Sequence, residues 1–170
     1  MANIFLTADT HFSHAGMCHF LNADGSKVRP WDDVEEMDEA LVERWNKTVR
    51  PKDKLYHLGD VAIQRKGLRL LDRLNGDLVL IKGNHDIFKL SDYTKYFRDI
   101  RAYHILDRVC LSHIPQHPDS IDRFRGNVHG HLHTGQVMID GQIDTRYKCV
   151  CVEQTNYAPI AWEEVRTFFH

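Results

Sequence analysis

Five short apolar runs in the chain each end in aspartate, asparagine or histidine. The runs with their polar ends are residues 4–11, 55–60, 80–86, 109–113 and 127–133. Short apolar runs bounded by turn residues are typical of buried strands. In open α/β sheets, ligands gather outside the carboxyl ends of the strands, so five strands that end this way predict one shared site. A single polar strand end would be ordinary turn chemistry.

Helical spacing is clearest between residues 33 and 49. Apolar side chains recur there three and four positions apart, which predicts an amphipathic helix. Asp33 is placed to cap it, with Glu36 in the capping-box position. Arg50-Pro51 ends it, because the residue before a proline is pushed out of the α region. The shorter helix signals lie at residues 67–74, at residues 91–98 with Ser91 or Asp92 as the cap, and at residues 161–169.

Strand signals fill most of the remaining chain. They lie at residues 3–8, 54–58 and 78–81 in the first half, and at 102–112, 127–130, 135–139, 142–145 and 148–153 in the second. Asp140-Gly141 falls between two of these runs and predicts a hairpin turn. The order βαβαβ followed by mainly strands predicts an α/β fold in which two sheets pack face to face with helices outside.

One long segment between the first strand and the first helix carries no such pattern. Residues 11–31 are rich in Gly, Asn, Asp and His and predict a loop. Loops of this length in a compact domain are often functional. His14 and Arg29 lie in this segment and are candidates for substrate contacts at the mouth of the site.

Composition narrows the class of protein. The chain of 170 residues fits one domain, 1–170, and 42% hydrophobic with 27% charged residues is ordinary for a globular protein. A formal net charge of −2 argues against non-specific nucleic-acid binding. The four cysteines form no C-x-x-C pair, and no signal peptide or long apolar stretch occurs. We therefore expect a cytoplasmic protein with reduced cysteines and no membrane association, and the oligomeric state stays open.

The polar strand ends together form a set of metal donors. They are Asp9, His11, Asp60, Asn84, His113, His131 and His133. Imidazole and oxygen donors without thiolate suit Mn, Fe, Co, Ni or Zn, among which we expect Mn. A mononuclear catalytic zinc site uses three protein ligands, so this set fits two divalent transition-metal ions that share a carboxylate. Two such ions supply hydroxide near neutral pH and hold an anionic ester, which points to phosphate-ester hydrolysis.

The same residues resemble the five motifs of the calcineurin-like metallophosphoesterases. The motifs read Asp9-Thr10-His11, Gly59-Asp60, Gly83-Asn84-His85-Asp86, His113 and Gly130-His131-Leu132-His133. The run from Asp9 to His14 also resembles a small bacterial and phage branch of that family. The family is a four-layer α-β-β-α sandwich of two mixed sheets flanked by helices, and the resemblance implies that fold here.

The resemblance also implies a role for each motif residue. It places Asp9, His11, Asp60 and His133 around one metal, and Asp60, Asn84, His113 and His131 around the other. His85 would then be catalytic, as general acid or phosphate-orienting donor. Many members carry an acid three residues after the bridging Asp, where this chain has Ile63. The orientation of His85 is therefore open, and Asp86 either replaces that acid or has a structural role in the turn.

Two functions remain in competition. The first is a dinuclear phosphoesterase whose substrate is a small nucleotide-like ester or an oligonucleotide. The sequence does not distinguish monoester from diester hydrolysis. The alternative is a non-enzymatic protein-binding scaffold on the same fold. The histidines outside the motifs are predicted to be surface or hydrogen-bonded residues, with His129 supporting a ligand at most; they are His57, His104, His117, His129 and His170.

Overall fold

A computed structural model describes residues 2–169. The helices are α1 (Val34–Thr48), α2 (Arg65–Leu68), α3 (Leu90–Tyr93), α4 (Pro118–Ile121) and α5 (Trp162–Arg166). The strands are β1 (Ile4–Thr7), β2 (Lys54–His57), β3 (Asp77–Ile81), β4 (Asp99–Arg101), β5 (Tyr103–Leu106), β6 (Val109–Ser112), β7 (Gly126–His129), β8 (Met138–Ile139), β9 (Gln142–Ile143), β10 (Tyr147–Cys149) and β11 (Ile160–Ala161). Short 3-10 turns lie at Ala15–Cys18, Arg69–Arg73 and Val152–Gln154.

The strands form two mixed sheets and a small ribbon. The first sheet has the order β11-β1-β2-β3-β4, with β11 antiparallel to β1 and the other neighbours parallel. The second has the order β10-β7-β6-β5, with only β5 and β6 antiparallel. Strands β8 and β9 pair with each other alone. Parallel neighbours bring the carboxyl ends of their strands to the same edge, which is what a shared site requires.

Alternation along the strands sorts the apolar side chains into three packed layers. On β1, Phe5 packs in one cluster with Leu41 and Trp45 of α1. The next residue, Leu6, packs with Leu111 and Val128 of the second sheet. A third cluster joins the outer face of the second sheet to α4. The predicted four-layer α-β-β-α sandwich is therefore confirmed, while the assignment of 1–170 to a single domain stays a prediction.

The first helix matches its sequence signals, and the shorter helices match in part. The Asp33 carboxylate accepts hydrogen bonds from the backbone nitrogens of Glu35 and Glu36, both at 2.9 Å. The predicted helix 67–74 begins two residues earlier and continues as a 3-10 turn. Among residues 2–169 the structure contains no helix with the length and apolar character needed to cross a bilayer.

The prediction of a helix over 91–98 was wrong beyond its first turn. α3 ends at Tyr93, and its N-cap residue is Lys89, without a side-chain cap. Neither Ser91 nor Asp92 caps it, since Asp92 lies inside the helix and pairs with Arg65 at 2.8 Å. A one-turn helix gains little from its own hydrogen bonds, so packing decides where the chain leaves it.

The long strand predicted over 102–112 is instead a hairpin of β5 and β6. Its turn residues, Asp107 and Arg108, have φ of 47° and 67°. The predicted hairpin at Asp140-Gly141 is confirmed, with φ of 49° and 78° between β8 and β9. Both turns use left-handed backbone at two successive residues, as primed hairpin turns require. Only the second turn contains a glycine, which makes it recognisable from the sequence.

Candidate metal centre

The polar ends of the predicted strands meet at one edge of the sandwich. The backbone nitrogen of His131, after β7, donates to Asp9 Oδ2, after β1, at 2.8 Å. His113 Nε2, after β6, lies 2.9 Å from Asn84 Oδ1, after β3. These contacts cross from the second sheet to the first. The structure therefore brings the predicted donor set together.

The donors fall into two groups. The ligating atoms of Asp9, His11 and His133 lie within 4.8 Å of one another, and so do those of Asp60, His113 and His131. Asp60 Oδ2 is 3.4 Å from His113 Nε2 in its own group and 3.7 Å from His11 Nε2 in the other. Asp60 thus adjoins both groups, which is the position expected of a shared ligand. We call these sets the Asp9 group and the Asp60 group.

Several donor atoms in the Asp9 group have no hydrogen-bond partner although they are buried. They are Asp9 Oδ1 and both ring nitrogens of His11. A buried polar atom without a partner is costly, and native proteins rarely keep one without a reason. A cation within this group would satisfy Asp9 Oδ1 and the His11 ring nitrogen that faces the carboxylates, Nε2. Carboxylate and imidazole are donors that divalent transition metals accept, so the residues fit the expected ions.

The backbone at the donors is held in an uncommon conformation. Left-handed φ values occur at Asp9 (58°), His11 (47°), Asp60 (56°), His131 (69°) and His133 (51°). Residues other than glycine rarely adopt this region, and such strain collects at functional sites. In these turns, successive donor side chains point into the same space. A continued strand would direct them to opposite faces of the sheet. The strain therefore marks the same edge that the sequence motifs mark.

Two glycines allow the carboxylates to sit against neighbouring backbone. A Cβ atom at Gly83 would lie 2.2 Å from Asp60 Oδ1, and one at Gly130 would lie 2.4 Å from Asp9 Oδ2. Any side chain at these positions would displace the carboxylate. The glycines beside Asn84 and His131 thus have a steric purpose in the site.

The imidazole of His113 is oriented by the backbone. Its Nδ1 lies 2.7 Å from the carbonyl oxygen of Leu58, which makes Nδ1 the donor and turns Nε2 towards Asp60 and Asn84. Burial lowers the pKa of His113, but the carboxylates of Asp60 and Asp9 outweigh it and raise the pKa above its usual value. The site therefore favours positive charge at this position, which a bound metal ion would supply in place of the proton.

The imidazole of His133 is oriented by Glu153, which sequence reasoning missed. Glu153 Oε1 lies 3.1 Å from His133 Nδ1, and the carboxylate is 1% exposed. A carboxylate that holds one ring nitrogen of a ligating histidine is a recurrent feature of metal sites. The segment 148–153 carries only a strand signal, in which a single glutamate does not stand out. Nothing in the sequence places it beside His133.

Arg29 is not at the mouth of the site, and its prediction as a substrate contact was wrong. The side chain is 0% exposed. Its guanidinium donates to Glu153 Oε1 at 2.8 Å and to the carbonyl oxygens of Thr10 at 2.8 Å and Asp9 at 2.5 Å. A guanidinium in the interior needs such partners. Arg29 therefore fixes Glu153 and the turn after β1 from inside the protein.

A cysteine also contacts the centre. The Cys151 thiol donates to Asp9 Oδ2 at 3.1 Å, and Cys149 Sγ lies 3.3 Å from Cys151 Sγ. All four cysteines are free and buried, and burial raises the pKa of Cys151 well above its usual value. Cys151 is thus a neutral donor that orients the carboxylate of Asp9, a contact that its position in the sequence does not reveal.

His85 lies at the opening of the centre, with its ring centroid 5.5 Å from that of His11. Its backbone nitrogen donates to Asp60 Oδ1 at 2.8 Å, but no side chain within residues 2–169 hydrogen-bonds its exposed ring. Asp86 does not replace the acid missing at Ile63. Its carboxylate accepts from the backbone nitrogens of Asp60, Val61 and Gly83 at 2.8–2.9 Å. The structural alternative for Asp86 is therefore the right one.

The remaining histidines behave as predicted where the structure describes them. His57 is buried between Thr10 Oγ1 at 3.0 Å and the Gly59 nitrogen at 3.2 Å. His129 Nδ1 lies 2.7 Å from the Gly130 carbonyl, just before the His131 turn. His104 bonds Tyr56 and Arg101, and His117 is exposed. His170 lies outside the described residues. His14 is half-buried beside His11, and its role as a substrate contact stays a prediction.

The fold and the site define the chain as an α-β-β-α sandwich with two adjoining donor groups at one edge. No protein-family model matches it. It is 33% identical to the uncharacterized protein MJ1445 of Methanocaldococcus jannaschii over 171 residues, which cover 95% of this chain and 88% of that protein. The chain belongs to the same family as MJ1445.

The chain was also compared with solved structures, one of which shares this architecture. The protein of unknown function AQ665 from Aquifex aeolicus superposes with a TM-score of 0.74 at 24% identity, over 98% of this chain and 99% of its own. An archaeal phosphodiesterase superposes with a TM-score of 0.47 at 13% identity, over 88% of this chain and 82% of its own. The first likeness agrees with the four-layer fold. Neither assigns a reaction, which has to come from the donor geometry.

Proposed function

We propose that the protein is a dinuclear metal-dependent phosphoesterase of the calcineurin-like class, with manganese as the preferred metal. One observation carries the proposal: two donor groups, one with unpaired buried donor atoms, adjoin the single carboxylate of Asp60. Asp9, His11 and His133 would hold one ion, and Asn84, His113 and His131 the other, with Asp60 common to both. Two ions at neighbouring positions would supply Lewis-acid activation of water and neutralise a phosphoryl group.

Charge selects the substrate class. Two divalent ions would bring four positive charges, and the carboxylates of Asp9 and Asp60 would remove two. The surplus favours an anionic ester, since a bound ion is the largest local charge in such a site. The carboxylates are held ionised: burial by itself would raise the pKa of Asp60, but the neighbouring His113 holds it below its usual value.

His85 is suited to proton transfer in this arrangement. Its exposed imidazole stands at the opening and near His11, but its ring joins neither donor group. An imidazole beside the ester could give a proton to the leaving oxygen, which typically contributes about 10²–10⁴-fold to the rate. Its backbone nitrogen also positions the carboxylate of Asp60. The residue therefore links the ester to the shared ligand.

Metal analysis followed by hydrolysis assays tests the proposal. The purified protein, loaded with Mn²⁺, is assayed on p-nitrophenyl phosphate and on bis(p-nitrophenyl) phosphate, which separates monoester from diester action. We expect two ions per chain and hydrolysis of at least one ester, lost with EDTA and restored by Mn²⁺. His131→Ala should lose one ion and activity, whereas His117→Ala, which alters an exposed histidine that belongs to neither donor group, should keep both. A protein that binds two ions and hydrolyses neither ester would favour the scaffold alternative.

A further inference from the structure

A cavity opens beside the Asp9 group and has no role in holding the ions. Its volume is about 290 Å³. Its lining residues are His11, His14, Met17, Phe20, Val28, His85 and His133. It thus shares His11 and His133 with the donor group and His85 with the proposed proton donor. Any ester held at the metal centre has this cavity next to it.

The apolar wall of the cavity comes from the loop after β1. Backbone hydrogen bonds from Phe20 to the Gly16 carbonyl at 3.1 Å and from Val28 to the Phe20 carbonyl at 2.9 Å fold this loop back on itself. Met17 is buried below, while Phe20 remains 50% exposed. Phe20 therefore presents about half of its surface at the rim of the cavity.

The two rings on this wall are packed against each other. The rings of His14 and Phe20 meet edge to face, with centroids 5.8 Å apart and an interplanar angle of 90°. A Cβ atom at Gly16 would lie 2.7 Å from His14 Cε1 and 3.2 Å from Phe20 Cζ. The loop therefore depends on a glycine to bring the rings together. This is a built aromatic wall, and its edge-to-face geometry is the one that aromatic pairs prefer.

The lining of the cavity favours a neutral group. Among the described residues that line the cavity there is no lysine, arginine, aspartate or glutamate. Arg29, the arginine next to Val28, is turned into the interior. The cavity is also small by the standard of ligand pockets, which usually span about 300–1,000 Å³. Away from its histidines, the cavity presents only apolar side chains, so its inner wall suits one flat, neutral group.

We propose that this cavity binds an aromatic ring carried by the phosphate ester, such as an aryl group or a nucleobase, against Phe20, Val28 and Met17. The proposal rests on the proposed function, because the ester's phosphoryl group would lie at the metal centre while its ring enters the cavity. His85 lines the cavity and lies beside His11 of the metal centre. The substrate would then be an aryl or nucleoside ester with a single phosphoryl group at the centre.

Phosphonates test this without requiring turnover. Phenylphosphonate and methylphosphonate carry the same charged head and differ only in the ring. Their Kd values are measured by calorimetry on the Mn²⁺-loaded protein. We expect phenylphosphonate to bind about ten-fold more tightly, because ring contact and apolar burial act on it alone. Phe20→Ala and Val28→Ala should reduce this ratio while leaving the Kd of methylphosphonate unchanged.

Phe168→Ala is the matched control. Phe168 is 41% exposed, similar to Phe20, and does not line the cavity. A ratio of one in the unaltered protein, or an equal weakening of both phosphonates by Phe20→Ala, would overturn the ring site. If p-nitrophenyl esters are hydrolysed in that case, only this inference fails. If neither phosphonate binds and no ester is hydrolysed, the proposed function fails with it.

Discussion

The two donor groups differ in what holds them. In the Asp60 group, the ring of His113 is oriented by the Leu58 carbonyl, and the carboxylate of Asp60 accepts from the His85 backbone nitrogen. In the Asp9 group, Asp9 also accepts from a backbone nitrogen, that of His131, but side chains supply further contacts, with Glu153 on His133 and Cys151 on Asp9. Backbone support does not require a particular side chain at the supporting residue. Side-chain support depends on the identity of residues far away in the sequence.

The groups also differ in how well they are satisfied by the protein alone. The unpaired donor atoms belong to Asp9 and His11, whereas His113 Nε2 has Asn84 Oδ1 at 2.9 Å. The Asp9 group therefore has more to gain from an ion, and part of its support comes from side chains that a substitution can remove. We expect substitutions away from the donors to act on it selectively, and substitutions of the shared carboxylate to act on both groups.

The largest expected effect is that of Asp60→Ala. Asp60 adjoins both groups, so its loss should remove both ions and all hydrolysis, and the difference between the groups should disappear. The number of ions per chain, measured by mass spectrometry of the digested protein, checks this. Asp119→Ala is the control, since that carboxylate is 87% exposed. Retention of two ions by Asp60→Ala would contradict the shared role.

The next effect is that of His85→Ala, which should separate binding from chemistry. His85 belongs to neither group, so the variant should keep both ions while kcat falls by about 10²–10⁴. Asp60 accepts from the backbone nitrogen of residue 85, which alanine retains, so the shared ligand should stay in place. Metal content and kcat are measured on the same preparation. A variant that lost its metals would show that the imidazole is itself a ligand.

The same difference explains which parts of the site the sequence could predict. Donors that follow strands, such as Asp9 and Asp60, are recognisable because each strand and its polar end are local in the sequence. Glu153 is separated from Arg29 by 124 positions, and only the packing of the two sheets brings them together. Arg29 itself looked like a surface residue of a polar loop. Its burial depends on Glu153, and local sequence carries no information about that.

The fold, too, was predictable where local sequence determines the structure. Periodicity and capping predicted α1, because a helix of 15 residues is determined largely by its own apolar stripe. The layers followed from strand order. The helix predicted over 91–98 and the strand over 102–112 failed because packing and a turn without glycine overrode local signals. Asp107 and Arg108 adopt left-handed backbone, and the Asp107 carboxylate accepts a hydrogen bond from Trp162 Nε1 at 2.7 Å, a contact 55 positions away in the sequence.

Glu153→Gln should produce a smaller effect confined to the Asp9 group. Removing the charge weakens the hold on His133, and such partners are typically worth about 10–100-fold in metal affinity. Titration with Mn²⁺ should show one ion weakened and the other unchanged. Glu163→Gln, whose carboxylate is 74% exposed, is the control. Thermal unfolding of the metal-free variant detects any loss of fold caused by leaving Arg29 unpaired. Equal weakening of both ions would show that the groups are not held independently.

The smallest expected effect concerns His57. Its buried ring hydrogen-bonds Thr10 in the turn after β1 and Gly59 in the turn after β2. The Gly59 nitrogen donates to Nδ1, so Nε2 carries the proton and faces Thr10 Oγ1. Thr10 in turn donates to the Val61 carbonyl at 2.9 Å. This chain connects the turn after β1 to the turn after β2 and needs a neutral ring. Burial accordingly lowers the pKa of His57 to about 3.

The sign of the pH dependence follows from that pKa. Between about pH 6.5, where an unfolded histidine titrates, and about pH 3, the unfolded chain binds a proton at His57 that the folded protein does not. The free energy of unfolding should therefore decrease as the pH is lowered through this window, by about 1.4 kcal/mol per pH unit from this residue. Urea unfolding of the metal-free protein, compared with His57→Gln at pH 6.5 and 5, isolates the contribution, because glutamine does not titrate. If the two proteins lost stability in parallel, a neutral His57 would not be what joins the two groups.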